Sequence, residues 1–361
     1  MKLLELESPE FAYGNTRLRA RKSDLLAPAD YEAMLGLDVD GLLGALAATA
    51  HRPDIEAALP RFHGLRCLHE AVRTHLGCML EEMRSFYSDS ARQLVDVLLS
   101  SWDVRNLVTL LRGQVARAPA DEVLPLLVPV GGLDEASARE VASQPELAAA
   151  VQLLLAWRLP TPEDARALGG AWPAYERSGD LAALEHALAA AHAARAVAAV
   201  ERAGREAEPL RSALREESDD RNLVIALRFR EALADERGEP PAGLGPLLAG
   251  GAVDPESLTG AALGPSPEDA AAAVLALPGA GRWSDPLARW AGSGDLVALH
   301  AGLEAARARA RIALFVSGDP LSIAVPLAFT AATETEARNL RVLGEGAVRG
   351  DPYLVRSRLL T

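Results

Sequence analysis

Apolar residues recur along this chain at intervals of three and four, and no alternating apolar-polar run persists anywhere in it. In LAALEHALAAAHAARAVAAV (181–200), Leu181, Leu184, Leu188 and Ala191 fall on one side of a helix. Ser178 and Asp180 precede that run at the positions where a helix cap belongs. In RNLVTLLRG (105–113), Leu107, Leu110 and Leu111 form one face, and Gly113 is expected to end the helix. The fold class read from this pattern is all-α.

The pattern also repeats over long distances. Residues 103–107 read DVRNL, 219–223 read DDRNL and 336–340 read EARNL. Asn106 lies 116 residues before Asn222, which lies 117 before Asn339. The chain has four Asn, so only Asn15 falls outside this context. The surroundings repeat as well. YERSGDLAALEHALAAAHAAR (175–195) matches WAGSGDLVALHAGLEAARARA (290–310), and FHGLRCLHEAVRTHL (62–76) is a weaker third copy. Gly64, Gly179 and Gly294 are spaced 115 apart. Two copies continue into a Pro-Leu-Leu segment and a Gly-Gly turn, PLLVPVGGLD (125–134) and PLLAGGAVD (246–254). Solenoid repeats have periods of ~20–50 residues, so a unit this long is domain-sized.

The expected organisation is therefore three homologous helical lobes, 1–120, 121–242 and 243–361. Their joints fall at ARAPAD (116–121) and GEPPAGLGP (238–246), rich in Pro or Gly. Three such lobes can pack around a pseudo-threefold axis as a funnel; an open, curved arrangement satisfies the same pattern.

Composition narrows the function. The 361 residues are 49% hydrophobic and carry a net charge of −13. A core of ample size is available, and an acidic protein is a poor general partner for nucleic acid. Lys2 and Lys22 are the only Lys, a bias matching the Ala-rich composition. Cys67 and Cys78 are expected to be core thiols of a reduced compartment, too far apart on one helix to bridge. MKLLELESPEFAYG has no long apolar core or cleavage site, and LAAAVQLLLAW (147–157) is too short to span a bilayer. A soluble, cytoplasmic protein is expected.

Catalytic signatures are missing. The sequence holds no phosphate-binding G-x-x-x-x-G-K-[ST], no G-x-S-x-G and no H-E-x-x-H. His63, His69 and His75 are six apart, which turns neighbours to different sides of a helix. His69 corresponds roughly to His300, while the second copy has Glu185, which indicates a solvated position. The run EESDD (216–220) faintly resembles the Asp-Asp-x-x-Asp motif of Mg²⁺-dependent prenyl-transferring enzymes, but Leu223 stands where its last acid belongs. It reads instead as an acidic helix N-terminal turn. No catalytic residue, metal or cofactor is expected.

Two sets of residues remain as candidates for contact. The repeated Asn106, Asn222 and Asn339, with Leu107, Leu223 and Leu340, suit a structural role: a buried amide bonding backbone and locking two helices. Arg105, Arg221 and Arg338 could instead line a shared axis and touch a partner. The second set is Arg17, Arg19, Arg21 and Lys22 in FAYGNTRLRARKSDLL (11–26), either a solvated face or a contact for an acidic partner or anionic headgroups.

That opening segment, WDVRNLVTLLRG and the repeated acid-x-Arg-Asn-Leu resemble the C subunit of prokaryotic A/V-type ATPases, the counterpart of the d subunit in the eukaryotic vacuolar enzyme. The resemblance runs from about Phe11 to Arg358. It implies three related lobes forming a funnel on the cytoplasmic face of the membrane proteolipid ring. The foot of the central stalk would insert into that funnel, and the protein would turn with the rotor and pass torque without catalysing anything. Membrane association would come through the ring, not through a transmembrane segment. A helical scaffold unrelated to any ATPase is the competing reading.

Overall fold

The computed structural model describes residues 10–234 and 247–360. Among them every regular element is helical, in agreement with the apolar spacing. The joint expected at 238–246 lies outside the described residues. The chain forms two compact units, Met1–Ser143 with Arg311–Thr361, and Gln144–Ala310.

The first unit begins with α1 (Ala12–Arg21), α2 (Pro28–Met34), α3 (Val39–Leu46), α4 (Arg52–Ala58) and α5 (Gly64–Ser85). It continues through α6 (Asp89–Leu99), α7 (Ser101–Ala116), α8 (Ala120–Val123) and α9 (Glu135–Ala142). The second unit holds α10 (Leu147–Trp157), α11 (Pro162–Ser178), α12 (Ala182–Glu201), α13 (Glu208–Ala234), α14 (Pro255–Ala262), α15 (Pro267–Leu275) and α16 (Ser284–Ser293). The unit boundary falls inside α17 (Leu296–Ser317); α18 (Ala324–Arg349) and α19 (Pro352–Arg358) belong to the first unit.

Helix starts follow local chemistry. Thr161, Asp254 and Ser266 each accept a bond from a backbone N–H of the first turn, and each is followed by Pro at the first helical position. Asp180 and Asp295 do the same work at the heads of α12 and α17, accepting from Ala182 N and Val297 N. The matching glycines Gly64, Gly179 and Gly294 all adopt left-handed backbone, with φ of 57°, 67° and 68°. Their sequence period is thus a period of backbone geometry that only glycine adopts without cost.

In the first unit, α5 packs along α18, whose residues from Ala324 to Ala331 are all buried. Leu68, Leu76, Leu80 and Met83 fill the core from α5, and Phe329 from α18. The opening Phe-Ala-Tyr-Gly-Asn is an anchor. The Tyr87 ring lies where a Gly14 side chain would begin, and the Tyr87 hydroxyl donates to Asn15 Oδ1 at 2.7 Å. Asn15 Nδ2 donates to the carbonyls of Pro320 and Ser322, tying α1 to the start of α18. In the second unit, Leu223 and Leu227 of α13 share a core with Trp283, Leu287 and Trp290.

Four local expectations are corrected. Gly113 does not end α7; it sits inside the helix, where its bare Cα admits the Val123 side chain. The helix ends at left-handed Arg117, with Ala118 N donating to Gly113 O. Cys78 is exposed, and only Cys67 is a core thiol. His69 is half-buried rather than solvated, on α5 with Glu345 of α18 at 3.9 Å. EESDD lies in the middle of α13, not in its first turn.

Candidate functional site

The repeated pentapeptide builds the same latch three times. Asn106 Nδ2 donates to Val128 O at 2.7 Å, and Val128 N donates back to Asn106 Oδ1 at 3.0 Å. Asn222 makes the same pair with Leu248, at 2.9 and 2.6 Å. Asn339 makes it with Leu360, at 2.9 Å both ways. A side-chain amide has the donor-acceptor layout of a peptide group, so one Asn satisfies both polar groups of one residue. Each partner is irregular chain rather than a second helix. Leu107, Leu223 and Leu340 are buried beside the latches.

The acid three residues earlier shares the helix face with the Asn. Asp103 Oδ1 accepts from Gly132 N and Leu133 N, and Asp219 accepts from Ala252 N and Val253 N. A side chain at Gly131 or Gly251 would collide with these carboxylates, which explains the glycine turns. The third acid is Glu336, and it departs from the pattern: its Oε2 accepts from Leu26 N, far away in sequence, at 2.5 Å.

The three arginines differ among themselves. Arg105 lies over the Trp102 ring, 4.5 Å from its centre, and bonds Glu334 at 3.1 Å. Arg221 pairs with Glu217 one turn back at 3.7 Å, and Arg338 is half-buried. Arg105 and Arg338 belong to the first unit and Arg221 to the second. Of the N-terminal cations, Arg17 is exposed, bonds the Tyr13 hydroxyl and lies 4.4 Å from the Phe86 ring centre. Arg19 is exposed, and exposed Lys22 places its Nζ 4.7 Å from the Phe315 ring centre. Arg21 is half-buried between Asp24 and Glu82, which compensate its charge.

The acidic run of α13 is committed to packing. Asp220, buried, accepts from Trp283 Nε1 at 2.7 Å and Arg307 at 2.8 Å, while Arg282 reaches both Asp219 and Asp220 at 3.3 Å. Carboxylates bonded in this way are occupied, which disfavours the metal-dependent reading of the run. Nearby in the same unit, burial pushes the His192 imidazole down to about 4, with Glu217 opposing and Arg195 and Arg221 assisting.

The constellation that sequence spacing did not anticipate lies inside the first unit. His51 precedes α4, His75 is on α5 and Glu336 on α18, and all three are buried. The His51 and His75 rings stack with centres 3.9 Å apart. His51 Nε2 stands 3.5 Å from Glu336 Oε1. Asp54 Oδ2 holds His75 Nδ1 at 2.8 Å, and Thr49 Oγ1 lies 3.3 Å from His51 Nδ1. Burial pushes the Glu336 carboxyl up to about 7 against the Leu26 N–H, and burial with the neighbouring His75 pushes His51 down to about 3. One ligand-type atom from each of the three lies within 4.8 Å of the others. His51 and Glu336 are far apart in sequence, so only the substitution of Glu for Asp in the third pentapeptide hinted at a difference there.

Comparison with known proteins places these features. Among the described residues no helix is long and apolar enough to cross a membrane. The C subunit of the A-type ATP synthase of Haloferax volcanii is 24% identical over 358 residues, covering 98% of this chain and 97% of its own. The C subunit of the V-type ATP synthase of Deinococcus radiodurans is 31% identical over 273 residues, covering 73% and 75%. The match to the C subunit of the A-type ATP synthase of Methanosarcina mazei is 26% identical over 137 residues and spans only 38% of either chain. The family model described as ATP synthase (C/AC39) subunit matches residues 14–358, a span that includes the three repeated Asn and the Asn15 anchor. The chain therefore belongs to the ATP synthase (C/AC39) subunit family.

Proposed function

We propose that this protein is the non-catalytic connector of an A/V-type ATPase rotor, joining the central stalk to the membrane proteolipid ring and passing torque between them. The observation that carries this reading is the family match across residues 14–358. The triplicated latch supports it, because a part that bears torque gains from return segments tied to their helices by buried, paired hydrogen bonds. In this reading three lobes, 1–120, 121–242 and 243–361, stand around a pseudo-threefold axis as a funnel. The protein sits on the cytoplasmic face, peripheral to the membrane and attached through the ring.

A socket that holds under torque needs interfaces above ~1,200 Å² in total. Arg105, Arg221 and Arg338 are assigned to the stalk side. Replacing all three with Ala should weaken stalk binding; unchanged affinity would remove them from that role. Arg17, Arg19, Arg21 and Lys22 are assigned to the ring or headgroup side. Arg21 contributes least, because Asp24 and Glu82 already engage it. Charge reversal at the other three should weaken membrane attachment, and salt should deepen the loss.

Gentle affinity purification of the tagged protein from its native membranes, followed by mass spectrometry, tests the whole reading. Recovery of proteolipid, stalk subunits and the ATP-hydrolysing head is the expected result. Recovery of the protein alone, or with unrelated partners, would overturn it in favour of a helical scaffold.

A further inference from the structure

We propose that His51, His75 and Glu336 form a binding site for a divalent first-row transition cation, with Zn²⁺ the natural occupant. The site lies inside the first unit and does not depend on the rotor assignment.

Four observations carry it. The donor set is two imidazoles and one carboxylate, which suits borderline cations such as Zn²⁺ and not Ca²⁺ or Mg²⁺, whose sites are built from oxygen. The outer atoms of all three groups are already engaged: Thr49 Oγ1 at His51 Nδ1, Asp54 Oδ2 at His75 Nδ1, and Leu26 N at Glu336 Oε2. An outer partner of this kind selects the tautomer that leaves Nε2 as the inward lone pair, as in carboxylate–histidine–metal triads. Third, His75 Nε2 and Glu336 Oε1 are buried and have no hydrogen-bond partner. Orphaned polar atoms of buried groups destabilise the fold unless something satisfies them. Fourth, the His51 Nε2 to Glu336 Oε1 separation of 3.5 Å is long for a hydrogen bond. Ligands about 2.1 Å from a tetrahedral cation are roughly 3.4 Å apart, so this pair stands at the spacing of two ligands of one metal, and the stacked His75 ring has to turn outward to join them.

The consequence is a pin through the core. The cation would join the head of α4, the middle of α5 and the centre of α18, and Glu336 is one turn from the Asn339 latch. Three protein ligands leave the fourth position to water.

The test uses the full-length chain, stripped with a chelator and titrated with Zn²⁺ and, separately, Co²⁺. One equivalent should bind, with a raised Tm and, for Co²⁺, the intense visible absorption of tetrahedral nitrogen-oxygen coordination. His75→Gln and Glu336→Gln should each lower affinity at least tenfold, and Asp54→Asn about tenfold through His75. His300→Gln, at an exposed His–Glu pair, should change nothing. Absence of stoichiometric binding by the unaltered chain would overturn the proposal. So would weak, octahedral-type Co²⁺ absorption, or binding that survives in His75→Gln. Should a variant fail to fold, the spectrum and stoichiometry of the unaltered chain still decide.

Discussion

Both units bury carboxylates deep among helices, yet they compensate them in opposite ways. In the second unit Asp219 and Asp220 meet Arg282, Arg307, the Trp283 indole and two backbone N–H groups. In the first, Glu336 meets two imidazoles and the single N–H of Leu26, and among the described residues no Arg or Lys pairs with it. Asp219 and Glu336 occupy the same position of the same repeated pentapeptide. Asp219 has a short arm and reaches the turn that follows its own helix. Glu336 is one methylene longer and reaches a different part of the chain. A repeat therefore preserves the helix and the latch, while one side-chain length redirects its buried charge. Homologous positions need not share electrostatics.

The largest expected effect separates the two environments directly. Asp220→Ala strands Arg307 and the Trp283 indole N–H, while Arg282 keeps Asp219, and should cost the second unit about 3 kcal/mol. Glu336→Gln in metal-free protein keeps an acceptor for Leu26 N and should cost the first unit about 1 kcal/mol or less. Chemical denaturation read by hydrogen exchange in α13 and α18 measures both; equal losses would erase the distinction.

The latches come next. Asn222→Ala abandons both polar groups of buried Leu248 and should cost about 2–3 kcal/mol. Asn339→Ala should cost about 1–2 kcal/mol, because Leu360 is only partly buried. Exchange rates of the Leu248 and Leu360 amides report the loss, and a larger effect at Asn339 would contradict an ordering set by burial.

Acid should then loosen the second unit through His192. Its folded pKa, about 4, lies below the ordinary value. The stability of the neutral ring is thus present above ~6.5 and is lost as pH falls through the folded value, by about 3 kcal/mol. His192→Gln should flatten that part of the stability-pH curve; an unchanged curve would mean the ring is not responsible.

The smallest effect should be the same in both units. Asp134 caps α9 by accepting from Ser137, and Asp254 caps α14 by accepting from Ser257. These bonds hold both carboxyls below their ordinary range, so each contribution is present near neutrality and fades as pH falls through the lowered value. Asp134→Ala and Asp254→Ala should give small, matching losses in thermal melts. Unequal losses would show that the two caps, like the two buried acids, differ between the units.

Much of this architecture was readable from sequence where a residue acts on its neighbours. The helical class follows from apolar spacing, and the Gly64, Gly179 and Gly294 period proves to be one of left-handed backbone. The three Asn stood out because Asn is scarce and their context is constant. What was not readable depends on close approach. Gly113 reads as a helix terminator but serves to admit Val123. The acidic EESDD reads as a helix N-terminal turn, yet it lies within α13, and its Asp219 and Asp220 are buried against residues more than sixty positions away.

The helical class, the triplicated Asn and the helix caps are thus written in the chain, because they depend on short-range hydrogen bonding and on a 3.6-residue period. Which buried acid meets arginine and which meets histidine is settled only by packing. His51, His75 and Glu336 come from three separate helical regions, and no local rule relates them. Their meeting is set by how α4, α5 and α18 come together, and burial then turns that proximity into chemistry.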